Sequence, residues 1–226
     1  MKYFKTFEDL SKVKKITKVK NPNKKSDVKT APGIISSTDL MNLEFDEIDF
    51  TGDWEKLFGD PAPNFDMMID GGPGSGKTTF LLKFAKYLAV KFGKVLYVSS
   101  EEYGTATLNQ KIEDIEAVSD NLFFADNLNY NLDDFDFVFI DSINDMSLKL
   151  SEYKDIREEY PLTAFILVFQ HTKAEDYRGS KEWEHEMEIA ATIEKGIITV
   201  YKNRYGVKGE LNVFEPISSL DKKSEK

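Results

Sequence analysis

The sequence predicts an α/β fold: a mostly parallel central sheet flanked by helices and closed by antiparallel hairpins at the C-terminal end. Three observations carry this expectation. From about residue 46, short strand-like segments alternate with segments of helical spacing, the order that builds a parallel sheet with helices on its faces. Two segments, "FDFVFIDS" (Phe135–Ser142) and "TAFILVFQ" (Thr163–Gln170), are apolar almost throughout, as strands covered on both faces must be. Towards the end, "MEIAATIEKG", "IITVYKNRYG" and "GELNVFEP" set closely spaced strands between glycine turns, the pattern of hairpins.

Residues 1–45 read as a lysine-rich, partly disordered arm. Tyr3, Phe4, Phe7 and Leu10 fall on one helical face, which needs a partner in this chain or a neighbouring copy. Lys12–Gly33 is basic, has two prolines and shows no helical period. A single domain then spans 46–216. "NFDMMID" (Asn64–Asp70) is the first strand. Thr78–Phe92 is a helix with Phe80, Leu81, Phe84, Leu88 and Phe92 on its inner stripe. "KVLYVSS" (Lys94–Ser100) is a second strand, Thr105–Val118 a helix and "NLFFAD" (Asn121–Asp126) a short strand. Phe135–Ser142 follows, then a helix near Leu148–Glu158, then Thr163–Gln170. Residues 217–226 are a polar tail expected to fray.

Composition removes several classes of function. There is no cysteine among the 226 residues, so disulfides and cysteine-ligated metal centres are excluded. His171 and His185, 14 residues apart, suit a contact with substrate, neighbour or solvent better than a metal. No apolar run reaches the ~18 residues of a bilayer span, and the polar, lysine-rich start is not expected to be a leader. A cytoplasmic protein without membrane contact is expected, in the host cytoplasm if the source is a phage. The net charge of −10 is uneven: residues 1–30 hold ten lysines against Glu8, Asp9 and Asp27, about +7, which leaves about −17 for the rest. Arg157, Arg178 and Arg204 are the only arginines, so each is worth locating.

The chemistry centres on Gly71-Gly72-Pro73-Gly74-Ser75-Gly76-Lys77-Thr78, which satisfies G-x-x-x-x-G-K-S/T between a strand and a helix. Glycines let backbone N–H groups turn inward around phosphates, and the helix N-terminus adds positive potential. Gly71 through Thr79 are therefore the expected ATP-binding residues. Lys77 would reach the β- and γ-phosphates, and Thr78 would ligate Mg2+. Asp141 ends "VFID", 64 residues after Lys77, and is placed to hold the Mg2+ shell through water. Glu101 and Glu102 follow "YVSS" at the same sheet edge, where a glutamate can orient water against the γ-phosphate. The sequence leaves open which of the two does so.

Together these features resemble the RecA-like ATPases, and the resemblance narrows to the ATPase core of the RadA/Sms-type DNA-repair ATPases. "VLYVSSEE" is similar to their "YVSGEES" segment, and "VFIDSI" to their Walker B strand. "HTKAEDYRGSKEWEH" is similar to their H-x-T-K…G…L-E-H segment, and "VYKNRYG" with "ELNVFE" to their K-N-R-F-G signature and the strand after it. The likeness covers roughly residues 50–216 in chain order. It implies Glu101 as catalytic glutamate, Gln170 as γ-phosphate sensor, and residues 171–184 as the second DNA-facing loop. It further implies Lys202 and Arg204 as a basic pair acting across a subunit boundary in a ring or filament. A looser likeness is to small single-domain RecA-like ATPases of bacteriophages and mobile elements.

The sequence has no cysteine for the family's four-cysteine zinc ribbon, and a form without the Lon-like domain is expected. The resemblance implies a DNA-stimulated ATPase acting on single-stranded DNA in recombination, repair or replication. Against it, Lys173, Arg178 and Lys181 stand beside Glu175, Asp176, Glu182 and Glu184, and an acidic body does not advertise nucleic-acid binding. A regulatory ATP switch of the KaiC-like branch, with a protein target, is the alternative. The arm suits a phosphate-binding segment and a solubilising tail equally.

Overall fold

The computed structural model describes residues 34–42, 45–170 and 178–219. Two units are distinguished, Met1–Phe45 and Asp46–Lys226. In the first, the described residues include the short helix α1 (Ser37–Met41). The expected face of Tyr3, Phe4, Phe7 and Leu10 and the basic stretch Lys12–Gly33 lie outside the described residues.

The second unit is organised on one eight-stranded sheet. Its strands are β1 (Asp66–Gly71), β2 (Val95–Ser99), β3 (Leu122–Ala125), β4 (Phe137–Asp141), β5 (Ala164–Gln170), β6 (Ile189–Glu194), β7 (Ile197–Asn203) and β8 (Glu210–Asn212), in the spatial order β3-β2-β4-β5-β1-β6-β7-β8. The first six strands in that order run parallel, and β7 and β8 each reverse direction. The helices are α2 (Asp53–Phe58), α3 (Lys77–Lys91), α4 (Ala106–Ile115), α5 (Leu150–Glu159) and α6 (Arg178–Glu186). Register sets Gly71 opposite Gln170 and Ser99 opposite Asp141, so the C-terminal ends of four strands share one sheet edge. In parallel sheets that edge is where ligands bind.

Both faces of the sheet are covered, which explains the unbroken apolar strands. Side chains alternate between faces: Met67, Ile69, Tyr97, Phe139, Ile166 and Val168 join one buried cluster, which includes α3. Met68, Val98, Val138, Ile140, Leu167 and Phe169 join the other, with Tyr153 and Trp183. Phe80, Leu81, Phe84 and Leu88 are buried as the helical stripe predicts, while Phe92 is only partly covered. Among the described residues no helix is long and apolar enough to cross a membrane.

The structure differs from the sequence expectation at three places. The short helix α2 was not foreseen; its Trp54 ring stacks on Phe84 and Tyr87, both with centroids 5.0 Å apart. At six residues it is too short to show a convincing period, and tertiary packing holds it. Second, β6 is not simply part of a hairpin. The chain crosses over through α6, and β6 enters parallel beside β1 before turning back into β7. That turn is Lys195-Gly196, with φ of 49° and 82°, the doubly left-handed geometry of a tight hairpin. Third, Arg178–Glu186 is helical rather than the later half of a loop. Trp183 and Met187 anchor it in the core; residues 171–177, with His171, lie outside the described residues.

At the opposite sheet edge, Arg157 on α5 donates from Nε to Asp66 Oδ2 at 2.9 Å and from Nη2 to Asn64 O at 2.9 Å. Burial pushes the Asp66 carboxyl from 3.8 up to about 6, against the pull of Arg157. The folded chain thus holds this proton more tightly than the unfolded chain. The group favours folding at pH 4 and loses that advantage as the pH rises through 6. In urea unfolding from pH 4 to pH 7, Asp66→Asn should gain on the wild type by about 2–3 kcal/mol. A difference independent of pH would contradict this.

Candidate nucleotide site

Strand β1 delivers the chain to its C-terminal edge at Gly71, and α3 starts at Lys77. The intervening loop is shaped by what a side chain would strike. A Cβ on Gly71 would stand 2.6 Å from Ile193 O and 2.8 Å from Ser75 Oγ. Gly76 has φ 104°, and its Cβ would meet Val213 Cγ2 at 2.7 Å. The first turn of α3 carries no acidic residue, so its N-terminal field is available to an anion. Lys77 Nζ donates to Gly71 O at 2.6 Å and Gly72 O at 2.9 Å. Burial lowers its pKa, opposed by the charges of Asp141, Asp70 and Asp145. The Ser75 hydroxyl is buried and has no hydrogen-bond partner among the described residues.

This loop forms one wall of a cavity of about 340 Å3, a size suited to a small ligand. Opposite it stand the strand ends. Asp141 closes β4, and Tyr97 OH on β2 donates to its Oδ2 at 2.6 Å. Burial raises the Asp141 pKa, while the tyrosine hydrogen bond opposes the rise. A buried carboxyl held this way is disposed to meet a cation.

Beyond Asp141 the chain folds back under Gln170. Gln170 N donates to Asn144 Oδ1 at 2.9 Å, and its Nε2 donates to Asp145 Oδ2 at 2.9 Å. Ser142 Oγ also donates to Asp145 Oδ2. The two glutamates are distinguished here. Glu102 is paired with Lys111 of α4, at 2.6 and 2.9 Å. Glu101 instead faces Asp145, whose charge is the main cause of its raised pKa, with burial and a shared hydrogen bond adding and the Gln170 amide opposing.

Of the residues singled out in the sequence, Pro73 through Thr79, Glu101, Glu102, Asp141 and Gln170 line this one cavity. Gly71 and Gly72 are not among its lining residues, and neither are Lys202 and Arg204. Strand β7 starts beside the loop, where Gly196 N donates to Ser75 O at 3.0 Å, and runs away from it for seven residues. At about 3.3 Å per residue, its far end lies roughly 20 Å from the loop. There Lys202 Nζ donates to Glu184 O, and Arg204 Nη2 donates to His185 O at 3.2 Å. Burial, then the neighbouring Arg204 charge, lowers the Lys202 pKa. Asp145, Lys111, Tyr97 and Phe214 escaped the sequence reading. Asp145, four positions after Asp141, offered a local signal; the others are brought in by packing. Among the described residues no cluster of three His, Cys, Asp or Glu side chains is arranged to hold a metal. A Mg2+ ion completed by phosphate oxygens and water needs no such cluster.

Comparison with known proteins agrees with this geometry. A family model described as an AAA domain matches residues 64–160. The chain is 30% identical over 177 residues to the DNA repair protein RadA of Campylobacter jejuni subsp. jejuni, covering 66% of this chain and 39% of that protein. It is 28% identical over 186 residues to the RadA of Listeria monocytogenes, covering 70% and 40% respectively. The chain thus spans about two fifths of the length of these curated relatives. Among solved structures, the flagellar accessory protein FlaH from Methanocaldococcus jannaschii superposes with a TM-score of 0.59 at 15% identity, covering 78% of this chain and 97% of that one; this likeness concerns the fold alone. With a parallel sheet ending in a phosphate loop and sequence relatives that share one description, the chain has the fold of RecA-like P-loop ATPases and is similar in sequence to part of RadA.

Proposed function

We propose that the chain binds ATP with Mg2+ in this cavity, hydrolyses it, and couples hydrolysis to single-stranded DNA as a homo-oligomer. The observation that carries the reading is the convergence of Lys77, Glu101, Asp141 and Gln170 on one cavity, where Asp145 holds the Gln170 amide. Backbone N–H groups of the loop and Lys77 hold the phosphates. Thr78 and Asp141 fit Mg2+, a hard ion that takes one or two carboxylates plus substrate oxygens. When bound, the ion would neutralise charge on the β- and γ-phosphates. Glu101 takes the proton of the attacking water as its oxygen bonds to the γ-phosphorus and the bond to the β-bridging oxygen breaks.

Gln170 reports the outcome. Its side chain lies in the cavity, and the next residue begins the segment 171–184. A movement of the amide between γ-phosphate and Asp145 is thereby passed to the segment proposed to face DNA. Lys202 and Arg204, out of reach of their own loop, would serve the cavity of an adjacent copy. The lysine-rich arm adds a phosphate-contacting segment whose affinity would fall steeply with salt. The relatives' description as DNA repair proteins supports DNA as the target.

ATP turnover measured at low salt, with and without single-stranded DNA and with particle mass followed in parallel, tests the reading. Turnover should rise with DNA, and the mass should exceed that of one chain. Turnover indifferent to DNA, with no DNA binding at low salt, would remove the DNA part. ATP-dependent release of a stable protein partner would then favour the regulatory switch.

A further inference from the structure

We infer that Phe214 is the base platform of the nucleotide site, a stacking surface for the planar nucleobase. The inference rests on the nucleotide reading above and adds recognition of the nucleoside half. Phe214 lines the same cavity as Lys77, Thr78 and Asp141, and no other aromatic side chain is among the described lining residues. Yet 59% of it is exposed. Burying such a side chain would be worth about 1.5–3 kcal/mol, and the fold forgoes most of that gain here.

The ring is nonetheless held firmly. A Cβ on Gly196 would stand 2.4 Å from its Cε2, and one on Gly76 would stand 3.2 Å from its Cζ. Two glycines therefore form its seat, one of them the last residue before Lys77. The backbone is anchored on both sides. Phe214 N donates to Asn212 Oδ1 at 3.0 Å, and Val213 N donates to Gly196 O at 2.8 Å. Lys83 Nζ, from α3, donates to Val213 O and Glu215 O, both at 2.8 Å. The exposed aromatic is thus tied to the helix whose N-terminus faces the phosphates, and little ordering remains for a ligand to impose.

A phenyl face carries no hydrogen-bonding code. It accepts purine and pyrimidine bases alike, and stacking of this kind is worth about 1–3 kcal/mol per base. The ligand class is therefore a nucleoside triphosphate selected for having a base rather than for which base it has.

Calorimetric titration of the full chain with Mg2+·ATP and with Mg2+·tripolyphosphate separates the two halves of the site. Phe214→Leu keeps apolar bulk on the glycine seat but removes the π face. It should weaken ATP about 5- to 150-fold while leaving tripolyphosphate within about twofold. Phe214→Tyr, which keeps the ring, should hold ATP within about threefold of wild type. ATP binding unchanged in Phe214→Leu would overturn the platform. So would equal loss of ATP and tripolyphosphate, which would make Phe214 a prop for the loop. A wild-type chain that binds ATP no better than tripolyphosphate also overturns it, while leaving the phosphate site standing. A wild-type chain that binds neither overturns the nucleotide reading itself.

Discussion

Lys77→Ala is expected to lower ATP turnover by at least about 100-fold and to weaken nucleotide binding at the same time. The reason lies in the present partners of the ammonium. It rests on the carbonyls of Gly71 and Gly72, in the strand end and loop that would surround the phosphates. It also lies in the field of Asp141, Asp70 and Asp145. Removing it leaves three carboxylates near a polyanion with one cation fewer. The fold should survive, because Lys77 opens α3 and alanine is the strongest helix former. Turnover and thermal unfolding measured on the same preparation check this. A variant that unfolds like wild type and still hydrolyses ATP within about threefold of it, against the 100-fold expected for such a contact, would place the chemistry elsewhere.

The second large effect separates the adjacent glutamates. Glu101→Gln should bind ATP as wild type does and lose about 10²- to 10⁴-fold in kcat, the usual contribution of a positioned general base. Glu102→Gln should lose far less, because Glu102 is held in its ion pair with Lys111. The pH profile provides an independent readout. Asp145 is the main cause of the raised Glu101 pKa, so the acid limb of kcat/KM should lie above the ordinary glutamate value. Activity is lost as the pH falls through that limb, since the base must be ionised. Asp145→Asn removes a like charge and should move the limb to lower pH. A larger kcat loss in Glu102→Gln than in Glu101→Gln would reverse the assignment.

These two experiments mark what could be read in the residues and what could not. The loop at 71–78, Asp141 and the parallel strands were legible because each is a local pattern. A glycine spacing, a lysine and an apolar run declare themselves without reference to the rest of the chain. The choice between Glu101 and Glu102 was not legible. It depends on Lys111, nine residues after Glu102 in the second turn of α4, which reaches the site only because α4 packs where it does. Phe214 lies within "ELNVFE" but carries no signal of its own, since its place beside Gly76 follows from β6 having joined β1 in parallel. The basic pair Lys202 and Arg204 was visible in the sequence, while its distance from the loop was not. That distance follows from β7 running antiparallel, with Ile197 opposite Glu194 and Asn203 opposite Ile189.

The same strand has a consequence for any assembly. β7 begins against the loop of its own chain and finishes at the basic pair, and it is hydrogen-bonded into the sheet along the way. A packed strand transmits displacement rather than absorbing it. In a head-to-tail array, where one copy's basic pair meets the next copy's cavity, a single rod would bear on two sites at once. The sites would then be connected in series, like links that pull only when the one before is taut. The unit that performs work would be the pair of adjacent copies, and the single chain only half of a machine.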